Sequence, residues 1–159
     1  MIRQFAALKR MKELREEKLQ LAVEAKRREL RQALALHQQA VMAAQENARM
    51  LPEREKAIYA ELIGRVEKPN RFEIAKEKVQ RLEAEQQQLE DQARHLQAEA
   101  ETRGRELEQL RLAHRRTQIE RDKYQTTMQE LELEARLLSE AKEESEQEEA
   151  ASTRFTAIA

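Results

Sequence analysis

The sequence predicts an all-α chain, a long antiparallel coiled-coil hairpin of two helices with a kink near Pro52 and a frayed C-terminal tail. Three observations carry this. Alternate steps of three and four residues from Phe72 trace Ala75, Val79, Leu82, Gln86, Leu89, Ala93, Leu96, Ala100, Arg103, Leu107, Leu110, His114, Thr117, Arg121, Tyr124, Met128, Leu131, Ala135, Leu138 and Lys142, mostly apolar and with charged residues between. That 3.5-residue period is the mark of a helix wound against a partner. Charged residues make up 38% of the chain and aromatic ones 3%, which suits a narrow seam and not a wide core. Two glycines and two prolines in 159 residues leave little to interrupt long helices.

The first helix is expected over residues 1–66. Its opening, 1–29, does not commit to one seam. Met1, Phe5, Leu8, Lys12, Arg15, Leu19 and Ala22 form one stripe and Gln4, Ala7, Met11, Leu14, Lys18, Leu21 and Ala25 another, each apolar at five positions. A helix greasy on two sides has two neighbours to satisfy. From Leu30 a single frame takes over, through Leu34, His37, Val41, Ala44, Ala48, Leu51, Glu55, Ile58 and Leu62. Pro52 lies inside it. Proline lacks the N–H of its turn and crowds the carbonyl four residues back, at a cost of about 3 kcal/mol, so a kink or short break is expected at Leu51-Pro52.

Gly64 weakens the end of this helix, and Lys68-Pro69-Asn70 stops it, which sets a turn at residues 67–71. The second helix, 72–145, then matches the first in length and folds back along it as a hairpin, not as a parallel dimer. With the turn near residue 67, the numbers of facing residues add to about 134, which sets Arg121 near Glu13 and Glu16 and His114 near Gln20. Seam positions Gln86, Arg103, His114, Thr117 and Arg121 are polar, and buried polar groups fix register at a cost in stability. Gly104 is expected to be a soft point beside Arg103. Beyond Lys142 the acidic run Glu143-Glu144-Ser145-Glu146-Gln147-Glu148-Glu149 sits at the wrong helix end for the macrodipole, so residues 146–159 are expected to be disordered. The hairpin is read as one domain and an elongated monomer.

Lys and Arg number 30 and Asp and Glu 31, a net charge of −1, which gives no general attraction to nucleic acid or anionic membranes. The charges are unevenly placed. Residues 1–31 carry ten bases against five acids, and 139–150 six acids against Lys142. With no cysteine there is no disulfide, thiol catalysis or thiolate metal site. The longest apolar run, Ala40–Ala44, is too short for a membrane span or a signal core, so a soluble cytosolic chain is expected. His37, His95 and His114 are scattered, no pair has the i, i+4 spacing of a helical metal site, and no Gly-rich phosphate loop exists. Neither an enzyme nor a cofactor-binding protein is expected.

The outermost heptad position of the second helix ends in Leu112, Ile119, Thr126 and Leu133. An aliphatic row facing away from the partner helix, beside the two-striped start of the first, makes the open end of the hairpin a docking candidate, the alternative being self-association into a four-helix assembly.

Met1-Ile2-Arg3 leading into Leu8-Lys9-Arg10-Met11-Lys12-Glu13-Leu14-Arg15-Glu16-Glu17-Lys18, then a broken middle, a short turn and a long charged second helix, resemble the YscO/FliJ group of type III secretion proteins, its injectisome YscO branch above all. The resemblance implies a stalk that docks in the hexameric export ATPase, reaches the cytoplasmic domain of the export gate at the inner-membrane base of the apparatus, and in some members binds export chaperones. It implies a place in the bacterial cytoplasm. The basic start Arg3, Lys9, Arg10, Lys12 and Arg15 matches the family's opening, and Pro52 departs from it. On this reading Leu112, Ile119 and Leu133 with those bases contact the ATPase, and Tyr59, Ile63 and Val66 near the turn contact the gate. The rival readings are a structural coiled coil that binds only itself, and an adaptor for nucleic acid or membrane through the basic start, with Ile2, Phe5 and Leu8 as its insertion face.

Overall fold

The computed structural model describes residues 2–63 and 70–158. Among these the chain is two helices, α1 over Ile2–Ala60 and α2 over Asn70–Ile158, packed against each other. α1 runs unbroken through Pro52. Its last turn tightens, with Leu62 N–H donating to the Tyr59 carbonyl at 3.1 Å and Ile63 N–H to the Ala60 carbonyl at 3.2 Å, the i→i+3 pattern of a helix running out. Of the turn expected at 67–71, residues 67–69, with Gly64 and Val66 before them, lie outside the described residues, while Asn70 and Arg71 are already helical. Asn70 opens α2, and Glu73 in the first turn suits the positive end of the helix dipole.

The tail departs from expectation. α2 continues through the acidic run to Ile158, so 146–158 are helical and exposed where disorder was expected. The reason is local: after Gly104 the chain contains neither glycine nor proline, and the tail opens on Glu146-Gln147-Glu148-Glu149-Ala150-Ala151, all good helix formers. An unfavourable charge at a helix end is worth a few tenths of a kcal/mol and does not stop it.

The hairpin, read from sequence as a single unit, divides into two compact ones: Val23–Gln109, and Met1–Ala22 with Leu110–Ala159. A two-helix seam has no common centre, since each layer touches only the layers beside it, so nothing forces a single core.

In the unit Val23–Gln109 the buried residues are Val23, Ala44, Ala75, Val79, Ala93, Ala100 and Leu107. On α2 they fall on the expected 3.5-residue frame. Alanine at four of these layers lets the backbones come close. The helices run antiparallel, because Lys26 pairs with Glu106 at 2.8 Å while Asn47 pairs with Gln86 at 2.8 Å. On α1 the frame differs by one residue at two layers: Ala33 and Asn47 are half-buried, and Leu34 and Ala48, expected inside, are exposed. At the second of these, Asn47 donates to Gln86 Oε1, so a polar contact chooses which residue turns inward. Phe72 is also exposed. Arg103 stays at the surface and joins Glu29 and Glu106.

Gln86 is the polar lock of this unit. It is buried, its Nε2 donates to the Ala44 carbonyl at 3.1 Å and to Glu90 Oε1 at 3.0 Å, and its Oε1 accepts from Asn47. A buried amide with donors and acceptor all engaged costs little and penalises any slip of register.

Two predictions follow from this unit. A Cβ added at Gly104 meets nothing within 4 Å. Gly104→Ala therefore keeps the fold and stabilises it by about 1 kcal/mol, raising the thermal midpoint by about 2–4 °C in a circular-dichroism melt. The second concerns acid. Hydrogen bonds donated by Lys26 hold the carboxyls of Glu106 and Glu29 below the ordinary value of 4.5, and the same bonds raise Lys26. A depressed carboxyl contributes stability that is present above 4.5 and lost as pH falls through the lowered value. The melting temperature of Lys26→Met should then depend less on pH between neutrality and strong acid than that of the parent, and the gap should close in high salt.

Candidate docking surface

The second unit contains the residues singled out from sequence, and its seam is polar where the other is alanine-rich. Met128 is its buried hydrophobic residue, with Phe5, Leu19, Leu110, Tyr124 and Leu131 half-buried around the seam. Phe5 meets Tyr124 with ring centroids 6.4 Å apart at 50°. Lys12 reaches over the Tyr124 ring at 5.8 Å and pairs with Glu120 at 2.5 Å, which holds the Glu120 carboxyl below its usual range. Facing residues Lys12 and Glu120 confirm an antiparallel register within two residues of the expected one.

Below that layer lies Glu16, a carboxylate only 8% exposed. Arg121 ion-pairs with it, Gln118 Nε2 donates to its Oε1 at 3.3 Å, and His114 Nε2 stands 3.8 Å from the same oxygen. Sequence reasoning placed Arg121 by Glu16 correctly and set His114 one turn off, near Gln20. Neither stripe proposed for the start of α1 includes Glu16, because apolar spacing cannot find a seam position occupied by a charge. Asp122 takes the other face of Arg121 at 2.9 Å and, with Glu16, raises its pKa. His114 Nε2 is buried and makes no hydrogen bond. The seam here is an ion-pair layer, and such layers specify register more than they stabilise.

The outward side carries the docking candidates. Leu112, Ile119 and Leu133 on α2 are about half exposed, as their heptad position requires. On α1 the stripe Met11, Leu14 and Leu21 is exposed to a similar degree. Of the basic start, Arg3, Arg10 and Arg15 are exposed, whereas Lys9 is half-buried beside Glu13 and Lys12 is turned into the seam. Lys12 is thus a structural cation, and of these five bases the three arginines carry the exposed charge. In the other unit, Tyr59 and Ile63 are exposed, as are Phe72 and Ile74, which the tip assignment did not include; Val66 lies outside the described residues. Among the described residues no group of three or more His, Asp or Glu could hold a metal ion, and no helix is long and apolar enough to cross a membrane.

Breaking the Glu16 layer has a sign that depends on how it is broken. Glu16→Ala takes from the half-buried Arg121 its partner across the seam, leaving only the exposed Asp122, and should cost about 1–3 kcal/mol in urea unfolding. Glu16→Leu combined with Arg121→Leu removes both charges and should restore most of that loss, which a double-mutant cycle reads directly.

Comparison with known proteins adds the identity that geometry alone does not supply. No curated protein and no solved structure matches the chain. The family model of the type III secretion protein YscO matches residues 5–153, which takes in nearly all of both helices. A helical hairpin with a charged two-sided opening, matched over that span, belongs to the YscO family of type III secretion proteins.

Proposed function

We propose that the chain is the stalk of a type III secretion export ATPase, coupling the ring to the cytoplasmic domain of the export gate from the cytoplasmic side of the inner membrane. The observation that carries this reading is the outward aliphatic pair Leu112 and Ile119, on a stretch of α2 that already has a partner on its other side, continued by Leu133 just past the end of the seam. A helix in a two-helix seam needs one apolar stripe; a second one is a surface held for another protein. Arg3, Arg10 and Arg15 on α1 supply long, permanently charged donors suited to carboxylates lining a ring.

The stalk does no chemistry of its own in this scheme. Hydrolysis occurs in the ring, and the hairpin transmits the change of state because a paired coil resists bending better than one helix. Tyr59 and Ile63 near the tip offer the gate a small apolar contact, and export chaperones of the system are further partners.

The test is direct. Leu112→Glu with Ile119→Glu changes only exposed side chains, so helicity should be unchanged, while stimulation of the cognate ATPase by the added chain should be lost. Undiminished stimulation with intact helicity removes these residues, and the ring contact built on them, from the proposal.

A further inference from the structure

α2 is longer than its partner. The half-buried and buried positions of its seam stop at Leu131, and every described residue from 132 to 158 is exposed. This overhang is a bare helix with eight acids (Glu132, Glu134, Glu140, Glu143, Glu144, Glu146, Glu148, Glu149) against three bases (Arg136, Lys142, Arg154). The start of α1, residues 2–22, carries six bases (Arg3, Lys9, Arg10, Lys12, Arg15, Lys18) against Glu13, Glu16 and Glu17. The two surfaces are complementary, yet within one molecule the overhang points away from α1 and cannot reach it.

We infer that the overhang of one copy docks along the exposed stripe of α1 in a second copy, in a reciprocal two-fold dimer. With the two open ends level, the overhang of each copy runs parallel to α1 of the other. The pairing near the open end, Phe5 with Tyr124 and Lys12 with Glu120, brings the first residues of α1 level with about residue 130 of α2. Overhang residues 137, 141, 144, 148 and 151 then stand level with residues 7, 11, 14, 18 and 21 of the other copy, and both sets step by four and three. Large meets small along this line: Leu137 against Ala7, Ala141 against Met11, Ala151 against Leu21, with Glu148 against Lys18. Knob-into-hole packing asks for that alternation. All ten side chains are exposed in the single chain. Glu144 opposite Leu14 is the one mismatch, and the exposed Arg15 beside it offers the carboxylate a partner.

The dimer hides the basic start of α1, so a ring that grips this region must first displace the second copy's overhang. The inference does not rest on the ring, and its test is separate from ATPase stimulation. The free chain is then a pair in place of the elongated monomer that the seam alone predicts.

Sedimentation equilibrium of the full chain should give a dimer that dissociates on dilution and in high salt. Lys18→Glu should weaken it about tenfold or more, since each dimer holds two such contacts and the change replaces attraction with repulsion. Adding Glu148→Lys should restore it. Because the chain contains no cysteine, Met11→Cys with Ala141→Cys should give a disulfide-linked dimer on mild oxidation, and Lys18→Cys with Ala141→Cys, out of register, should not. Three results overturn the inference: a monomer mass at every concentration, a dimer indifferent to Lys18→Glu, or Ala141→Cys alone cross-linking as well as the pair, which would mean that overhangs join each other.

Discussion

A two-helix seam is a line, and every other feature of this chain answers to that constraint. A residue facing inward has one partner helix in front of it and solvent on both flanks; no side chain among the described residues is fully buried. Hydrophobic burial per residue is therefore small, and the helices compensate in length and in closeness. Alanine at 44, 75, 93 and 100 shortens the distance between backbones, which increases van der Waals contact without adding the wide side chains that a line has no room for. Small repeated residues have a drawback: one alanine layer resembles the next, so apolar packing alone would tolerate a slip of seven residues.

The polar layers remove that ambiguity. Gln86 satisfies its amide with Ala44, Asn47 and Glu90, and Glu16 gathers Arg121 and Gln118. Each lies in a different unit, so each unit carries its own register mark. The two marks differ in kind. A neutral amide layer is close to neutral in energy when made and costly when broken, while a carboxylate and guanidinium pay desolvation and recover it only in the correct geometry. The unit that carries the ion-pair layer also exposes Met11, Leu14, Leu21, Leu112 and Ile119 on its outer sides.

The periodicity of α2 was legible because its seam residues are apolar, and alanine, valine and leucine announce their face by spacing alone. The start of α1 was not, and the reason is chemical: its inward positions include Lys9 and Glu16, which a hydrophobic pattern counts as surface. Charge pairing found part of what periodicity missed, since Arg121 was set beside Glu16 by register counting. The outward row at Leu112, Ile119 and Leu133 was legible for the same reason as the seam. The short break weighed at Pro52 and the disorder expected of the acidic tail are both absent, for a common reason. Each rested on a local penalty of a few kcal/mol or less, set against helices of 59 and 89 residues, in which neighbouring turns hold the geometry.

The unequal lengths of the helices follow from the same arithmetic and have a consequence. Where a seam ends because the partner helix ends, the longer helix keeps its helical propensity but loses its burial, so Leu133, Leu137, Leu138, Phe155 and Ile158 stand in solvent. A lone helix of this length is marginal in water, and acidic repulsion along it makes it more so. Its order in isolation has to come from propensity, and its persistence in a working protein from whatever neutralises its charge and covers its leucines. A basic partner helix does both at once, and the nearest such helix in composition is the opening of α1. The charge asymmetry that in sequence looked like a property of two chain ends is in structure a property of two surfaces on one unit, complementary to each other and unable to meet within one copy.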